Sequence, residues 1–263
     1  MSMKLIQGDC LEVMKTLPDN SVDLTVTSPP YDNLRTYNGY VFDFEGIAKE
    51  LYRVTKEGGV VVWVVGDATI KGSETGTSFR QALYFKEIGF NLHDTMIYHK
   101  HPQPMPSNRY EQHFEYMFVF SKDTPKTFNL IQVQCVYANR PKHSKISRNK
   151  DGGFKERLYC RTKQHKTKGN VWYYNVGFMK TTKDKVAYEH PAIFPEALAH
   201  DHIISWSNEG DTVLDPMMGS GTTGKMARIL NRKFIGIEIS KEYFDIATRR
   251  IENTDPLFQA VGL

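Results

Sequence analysis

Two short segments hold residue types able to do chemistry at close quarters. The first is Thr27-Ser28-Pro29-Pro30-Tyr31. Consecutive prolines fix the backbone and remove two amide donors, so nearby carbonyls can face a cleft instead of a strand ladder. Ser28 adds a hydroxyl, and Tyr31 adds a flat ring with a polar tip. Together they suit a grip on a planar base by its exocyclic amine: acceptors for two hydrogens and a ring to stack. The second segment is Asp215-Pro216-Met217-Met218-Gly219-Ser220-Gly221-Thr222-Thr223-Gly224. Gly219, Gly221 and Gly224 form a GxGxxG spacing. Such a loop lets backbone approach a ligand closely and leaves free amides at a helix N-terminus. Glu238 ends the next expected strand, where an acid can accept hydrogen bonds from ribose hydroxyls. On its own this loop admits NAD, FAD or S-adenosylmethionine.

Positioning these residues requires strands on either side. Lys4–Gln7 reads as a strand and Cys10–Leu17 as a helix stopped at Pro18. Val22–Thr27 alternates and is β-branched, a strand that runs straight into Ser28. Phe42–Lys56 has helical spacing, and the apolar run Val60–Val65 reads as a strand buried on both faces. Ser78 is placed to cap a helix reaching Gly89. Leu92–His99 and Glu115–Ser121 are further strands. Periodicity fades from Lys122 to about Tyr188. It returns with a helix at Pro195–Trp206, a strand at Thr212–Asp215, a helix ending near Leu230, a strand at Phe234–Glu238 and a helix at Lys241–Ile251. Alternating strands and helices on both sides of an irregular middle predict one doubly wound α/β sheet.

The chain has 263 residues, 40% hydrophobic and 24% charged, which excludes global disorder and a coiled coil. No apolar run reaches the roughly 18 residues that span a bilayer. Met1–Gly8 has no apolar secretion segment. Cys10, Cys135 and Cys160 form no CxxC pair, so neither a zinc cage nor a disulfide framework is expected, and a reducing cytoplasm is. Net charge is only +4, yet it is unevenly placed. From Arg140 to Lys185 fourteen Lys and Arg meet three acids, so that stretch carries +11 and the remainder −7. Phe154, Tyr159, Trp172, Tyr173, Tyr174 and Phe178 are interleaved with the charges. Cations that neutralise phosphates, mixed with rings that stack on bases, are the footprint of a nucleic-acid surface; a solvated basic insertion is the alternative.

Taken together, Ser-Pro-Pro-Tyr after one strand and Asp-Pro-x-x-Gly-Ser-Gly-Thr after another resembles the amino-methylating DNA methyltransferases. With the catalytic motif first and the cofactor loop last, the order is similar to their β group. The likeness covers Lys4 to about Ser121 and His190 to Ile251. It implies a mostly parallel, seven-stranded Rossmann-like sheet. Residues 1–121 would be the catalytic half, 122–188 an inserted target-recognition region, and 189–263 the cofactor-binding half. Carried over residue by residue, Ser28, Pro29, Pro30 and Tyr31 are the catalytic motif. Asp215, Pro216, Met217, Gly219, Ser220, Gly221, Thr222 and Thr223 are the S-adenosylmethionine loop, and Glu238 is the ribose-binding acid. Asp9, with the adjoining Cys10, matches the acid near the cofactor adenine, and Phe194 in His190–Pro195 lies near the cofactor. Arg109 to Lys122 resembles the late strand beside the target pocket. The basic middle would contribute Arg140, Lys142, Lys145, Arg148, Lys155, Arg157, Arg161, Lys163, Lys166 and Lys168 to DNA binding.

The resemblance implies transfer of a methyl group from S-adenosylmethionine to an exocyclic amine of a flipped-out base in double-stranded DNA. Ser28 leans toward cytosine N4; adenine N6 is the alternative. No metal is required, and His190, His200 and His202 read as structural. Carbon-5 methylation is rejected because it needs a Pro-Cys nucleophile, and Asp9, Gln134 and Tyr159 precede the three cysteines. Competing readings are a Rossmann oxidoreductase, which leaves Ser28–Tyr31 unused, and a catalytically inactive DNA-binding protein. Protein or RNA methyltransferases share the Pro-Pro-Tyr logic but usually place the cofactor loop first. The expected setting is a bacterial, archaeal or phage-encoded cytoplasmic protein, with a homodimer and a cognate restriction endonuclease among the partners the resemblance admits.

Overall fold

The computed structural model describes residues 2–30, 42–103, 108–136, 138, 146–156 and 163–255. Two units form: Met1–Asn129 with Asn170–Leu263, and Leu130–Gly169.

The first unit begins with β1 (Met3–Gln7), α1 (Cys10–Lys15), β2 (Val22–Thr27) and α2 (Phe44–Val54). It continues with β3 (Thr55–Val65), a two-rung hairpin of β4 (Thr69–Ile70) and β5 (Ser73–Glu74), α3 (Thr77–Glu87), β6 (Asn91–Gln103) and β7 (Gln112–Ser121). The second unit holds β8 (Gln132–Gln134), β9 (Ile146–Arg148), β10 (Phe154–Glu156) and β11 (His165–Thr167). The chain then returns to the first unit through β12 (Val171–Tyr173), a 3-10 turn at Lys185–Glu189, α4 (Glu196–Trp206), β13 (Thr212–Asp215), α5 (Thr222–Ile229), β14 (Lys233–Glu238) and α6 (Lys241–Glu252).

One sheet organises the first unit, in the order β1-β14-β13-β2-β3-β7-β6-β12. Only β7 runs against its neighbours, so the sheet is mostly parallel with one reversed strand. The doubly wound α/β class expected from the sequence is therefore correct. The strand number is eight rather than seven: Val171–Tyr173 pairs parallel to β6. Three residues, of which only Trp172 is buried, are too few to register as alternation. The stretch expected to form one insertion is thus divided. Leu130–Gly169 makes the second unit, whereas 122–129 and 170–188 belong to the first.

The core follows from β3. Val60–Val65 are each buried to 1% exposure or less. Val61, Trp63 and Val65 pack with residues of α1, α2 and α3, including Met14, Ile47, Leu51 and Phe85. Alternation sends Val60, Val62 and Val64 to the opposite face, the one covered by α4. Phe85 stacks on Phe120 at 4.5 Å, and Trp63 Nε1 donates to Gln81 Oε1 at 2.9 Å, so the buried indole keeps its partner. Removing such a ring costs about 3–5 kcal/mol.

Two local expectations shift. The α2 helix stops at Val54 because Thr55 turns extended, its hydroxyl closing onto the Leu51 carbonyl at 2.6 Å. Ser78 lies inside α3 and does not cap it; Asp67 takes the capping role, its Oδ1 accepting Ser78 N at 2.8 Å.

The second unit consists of two antiparallel pairs, β8 with β11 and β9 with β10. In the latter, Arg148 stands opposite Phe154, its guanidinium 5.7 Å from the ring centre.

Candidate active site

Parallel strands end on the same edge of a sheet, and ligands bind where loops leave that edge. Here β2 delivers Ser28-Pro29-Pro30, the adjacent β13 delivers Asp215 and the glycine loop, and β14 delivers Glu238. Thr27 and Asp215, the last residues of the two central strands, are joined by a 2.8 Å hydrogen bond from Thr27 Oγ1 to Asp215 Oδ1. Thr223 Oγ1 adds a second tie, donating to the Val26 carbonyl at 3.1 Å. Burial pushes the Asp215 carboxyl up to about 6, against the pull of hydrogen bonds from Thr27, Thr223 and the Met217 amide.

The glycine loop takes the shape its spacing predicts. Gly219 and Gly221 have φ of +47° and +80°, in the left-handed region that favours glycine. A side chain on Gly221 would sit 3.0 Å from the Ala247 backbone, and one on Gly219 would meet the His190 ring at 3.0 Å. Glu238 holds this loop directly: Oε2 accepts the Gly219 amide and Oε1 accepts the Ser240 amide, both at 2.9 Å. Burial raises the Glu238 carboxyl above its usual value, and the amides of Ser240, Gly219 and Ile239 oppose the rise.

A cleft of about 430 Å³ opens along this edge, large enough for a nucleoside-sized ligand. Ser28, Pro29 and Pro30 line it. So do Cys10, Phe194, Pro216, Met217, Gly219, Ser220, Thr222 and Glu238. The sequence-predicted residues are thus brought together from five separated stretches of chain. Asp215, Gly221 and Thr223 stand behind this surface as its supports, with Asp215 only 1% exposed. Asp9 caps α1, its Oδ1 accepting Leu11 N at 2.8 Å and Glu12 N at 3.2 Å, and its neighbours Gly8 and Cys10 reach the cleft. Tyr31 lies outside the described residues. Of the basic residues, Arg140, Lys142, Lys145, Arg157 and Arg161 also lie outside them. Arg148, Lys155, Lys163 and Lys166 are exposed on the second unit, and Lys168 is half-buried there.

Other residues around the site, among them Tyr243, Arg250 and Lys225, carried no sequence signal. His190 packs edge-on to Tyr243 at 4.2 Å, and both line the cleft. His200 meets Asp201 at 3.2 Å and His202 is buried beside Trp172. Arg250, in the last helix, reaches under the loop to donate to the Ser220 carbonyl, to Ser220 Oγ at 3.1 Å and to Thr222 Oγ1 at 3.4 Å. Its other nitrogens meet Glu196 at 2.9 Å and Asp184 at 3.2 Å, and Lys225 joins the same two acids at 2.9 and 2.8 Å. Burial alone would raise the Asp184 carboxyl, but Lys225 and Arg250 hold it below the usual range. On the far side of Ser28 the cleft is bounded by Tyr98, by Val176 and by the ion pair Lys100–Glu115. Among the described residues, no group of three or more His, Cys, Asp or Glu could hold a metal ion. No helix of the described residues is long and apolar enough to cross a membrane.

A mostly parallel Rossmann-like sheet, with a Pro-Pro loop and a glycine loop opening on one cleft, is a nucleotide-cofactor-binding fold. Over residues 22–249 the chain matches the N6/N4 DNA methylase family, and it belongs to that family. It is 61% identical over 243 residues to the orphan methyltransferase M.BamHII of Bacillus amyloliquefaciens, covering 91% of this chain and 92% of that protein. To the type II methyltransferase M.BglII of Bacillus subtilis it is 32% identical over 254 residues, 93% of this chain and 67% of that one. Among solved structures, the cytosine-N4-specific PvuII DNA methyltransferase shares the fold at a TM-score of 0.68 and 22% identity, covering 98% of this chain and 89% of that chain. The M1.HpyAVI complex with S-adenosylmethionine does so at 0.61 and 24% identity, covering 95% and 99%. The protein is a DNA methyltransferase of the amino-methylating type.

Proposed function

We propose that this enzyme moves a methyl group from S-adenosylmethionine to cytosine N4 of a base flipped out of double-stranded DNA. The observation that carries the reading is the hydrogen bond between Thr27 and Asp215. It ties the strand that ends in the Pro-Pro motif to the strand that ends in the glycine loop, so one cleft serves both. The residues present fit the cofactor. Glu238 lines the cleft with each oxygen holding one amide, which leaves lone pairs for ribose hydroxyls. Gly219 keeps its backbone clear of side-chain bulk, and Phe194 and Cys10 offer apolar lining. Bound there, S-adenosylmethionine supplies an activated methyl on a sulfonium.

The protein's own part is positioning and electrostatics. An exocyclic amine is a poor nucleophile because its lone pair is delocalised into the ring. Hydrogen bonds accepted by Ser28 Oγ and the Pro29 carbonyl favour a more tetrahedral nitrogen whose lone pair can point at the methyl. Tyr31 stacks on the base once it leaves the duplex. The preference for cytosine rests on Ser28 at the first motif position and on the likeness to a cytosine-N4 enzyme. Arg148, Lys155, Lys163, Lys166 and Lys168, with the basic residues around them, hold the DNA backbone. A homodimer and a cognate restriction endonuclease complete the reading. Light scattering checks the first, and challenging modified DNA with nucleases that cut at the mapped site checks the second.

The test is methylation of mixed-sequence double-stranded DNA by purified protein with S-adenosylmethionine, followed by digestion to nucleosides and mass spectrometry. N4-methylcytosine is the expected product. N6-methyladenine would keep the mechanism and correct the base.

A further inference from the structure

Across the active edge of the sheet the chain places, in order, Glu238 on β14, Asp215 on β13, Thr27 on β2, then β3, then Glu115 on β7 and Lys100 on β6. Ser28 therefore has the cofactor loop on one flank and the Lys100–Glu115 pair on the other. Strands about 4.8 Å apart put β7 and β6 two and three spacings from β2, on the order of 10 to 14 Å. Lys100 and Glu115 line the same cleft as Ser28, Pro29 and Pro30.

Lys100 Nζ donates to Glu115 Oε1, and the two side chains are only 15% and 17% exposed. The ammonium also stands 5.9 Å from the Tyr98 ring centre. Withdrawing two charges from water is costly, and a pair kept in a cleft does little for stability that apolar residues would not do as well. A pair does something a lone lysine could not. Its net charge is zero, so a strong N–H donor stands in the cleft without repelling a cationic cofactor.

We infer that Lys100 determines which bases the site accepts, donating a charge-assisted hydrogen bond to the ring atom beside the exocyclic amine, with Glu115 as its positioning residue. This rests on the amino-methylation reading above. In cytosine that ring atom is N3 and in adenine N1, both acceptors. In both bases the amine has a single ring-nitrogen neighbour, so one donor fixed beside the amine sets the orientation of the base. Lys100 thus favours an amine whose neighbouring ring nitrogen is an acceptor. With one N–H committed to Glu115, two remain, and cytosine can take both through N3 and O2.

The experiment first maps the methylated site. It then compares an oligonucleotide carrying that site with one whose target base is the deaza analogue, C–H in place of the ring nitrogen. The wild-type enzyme should lose about ten- to a hundredfold in kcat/KM on the analogue, the range of a charged hydrogen bond. Lys100→Met should lose a similar factor on normal DNA and nothing further on the analogue, which is the signature of a coupled pair. Lys100→Arg should recover part of the loss. Lys100→Met should still bind S-adenosylmethionine, while its thermal midpoint falls because Glu115 loses its mostly buried partner. A wild-type enzyme indifferent to the analogue overturns the inference without any variant, and so does a Lys100→Met enzyme that stays as sensitive as the wild type. A wild-type enzyme that methylates no DNA overturns the earlier reading instead.

Discussion

Thr27 Oγ1 and Asp215 Oδ1 meet at 2.8 Å across 188 residues of sequence, inside the sheet and away from water. Replacing Thr27 with Val keeps the volume and removes the donor. The Asp215 carboxyl then loses a hydrogen bond in a fully buried place. The expected cost is about 1–3 kcal/mol in urea unfolding, with weaker binding of S-adenosylmethionine by calorimetry. Unchanged affinity would mean that the strand pairing alone sets the cleft.

Asp215 also gives the protein a pH signature. Its folded value of about 6 lies above the ordinary 3.8, so the folded chain binds the proton more tightly than the unfolded chain. The stabilisation from this group is fully present below about pH 4 and is lost as pH rises through about 6. Asp215→Asn removes the titration. Its thermal midpoint relative to the wild type should climb from about pH 4 to about pH 7 and then level off, while cofactor affinity falls. A flat difference across that range would deny Asp215 its buried charge.

Arg250→Met tests the support beneath the glycine loop. The side chain is 1% exposed and touches Ser220, Thr222, Asp184 and Glu196. Breaking a buried pair by removing one partner costs about 3–5 kcal/mol. Affinity for S-adenosylmethionine should fall with stability, and Arg250→Lys should restore part of each. Lost stability with normal affinity would make the network a scaffold only.

Tyr31→Ala should cut methylation while sparing the cofactor. Base stacking on an aromatic is worth about 1–3 kcal/mol, or roughly ten- to a hundredfold in kcat/KM. Loss of cofactor binding as well would give Tyr31 a structural role.

Charge reversal at Arg148 and Lys155 should weaken DNA binding on any sequence. The slope of log affinity against log salt should shrink by about one for each phosphate that the protein no longer neutralises. Binding measured at several salt concentrations reads this directly, and an unchanged slope would return the hairpin to an ordinary solvated surface.

Much of the frame was legible in the residues because it rests on local rules. Val22–Thr27 and Thr212–Asp215 begin and end where alternation and turn residues place them, and the glycine spacing forecasts the left-handed loop. The cleft lining predicted from two motifs came together because parallel strands deliver their ends to one edge. What escaped was long-range or brief. Arg250 and Glu196 look like ordinary helix-face charges until α6 and α4 bring them together with Lys225. Glu115 lies in the strand the resemblance set beside the target pocket, but its pairing with Lys100 depends on the register of β6 and β7. Val171–Tyr173 offers only one buried side chain, too little for a period of two to show.

The strand that carries the Pro-Pro motif has a timing problem built into its neighbours. One edge of β2 pairs with β3 soon after synthesis, but the other belongs to β13, made almost two hundred residues later. On the ribosome, β2 must wait with an open, β-branched edge, the kind that recruits stray strands. Pairings so distant in sequence also close slowly once the chain is free. On the function proposed above, a shortened product that ends before the glycine loop lacks the residues assigned to the methyl donor. On that reading a nascent chain gains its methyl donor only as α5 and α6 emerge.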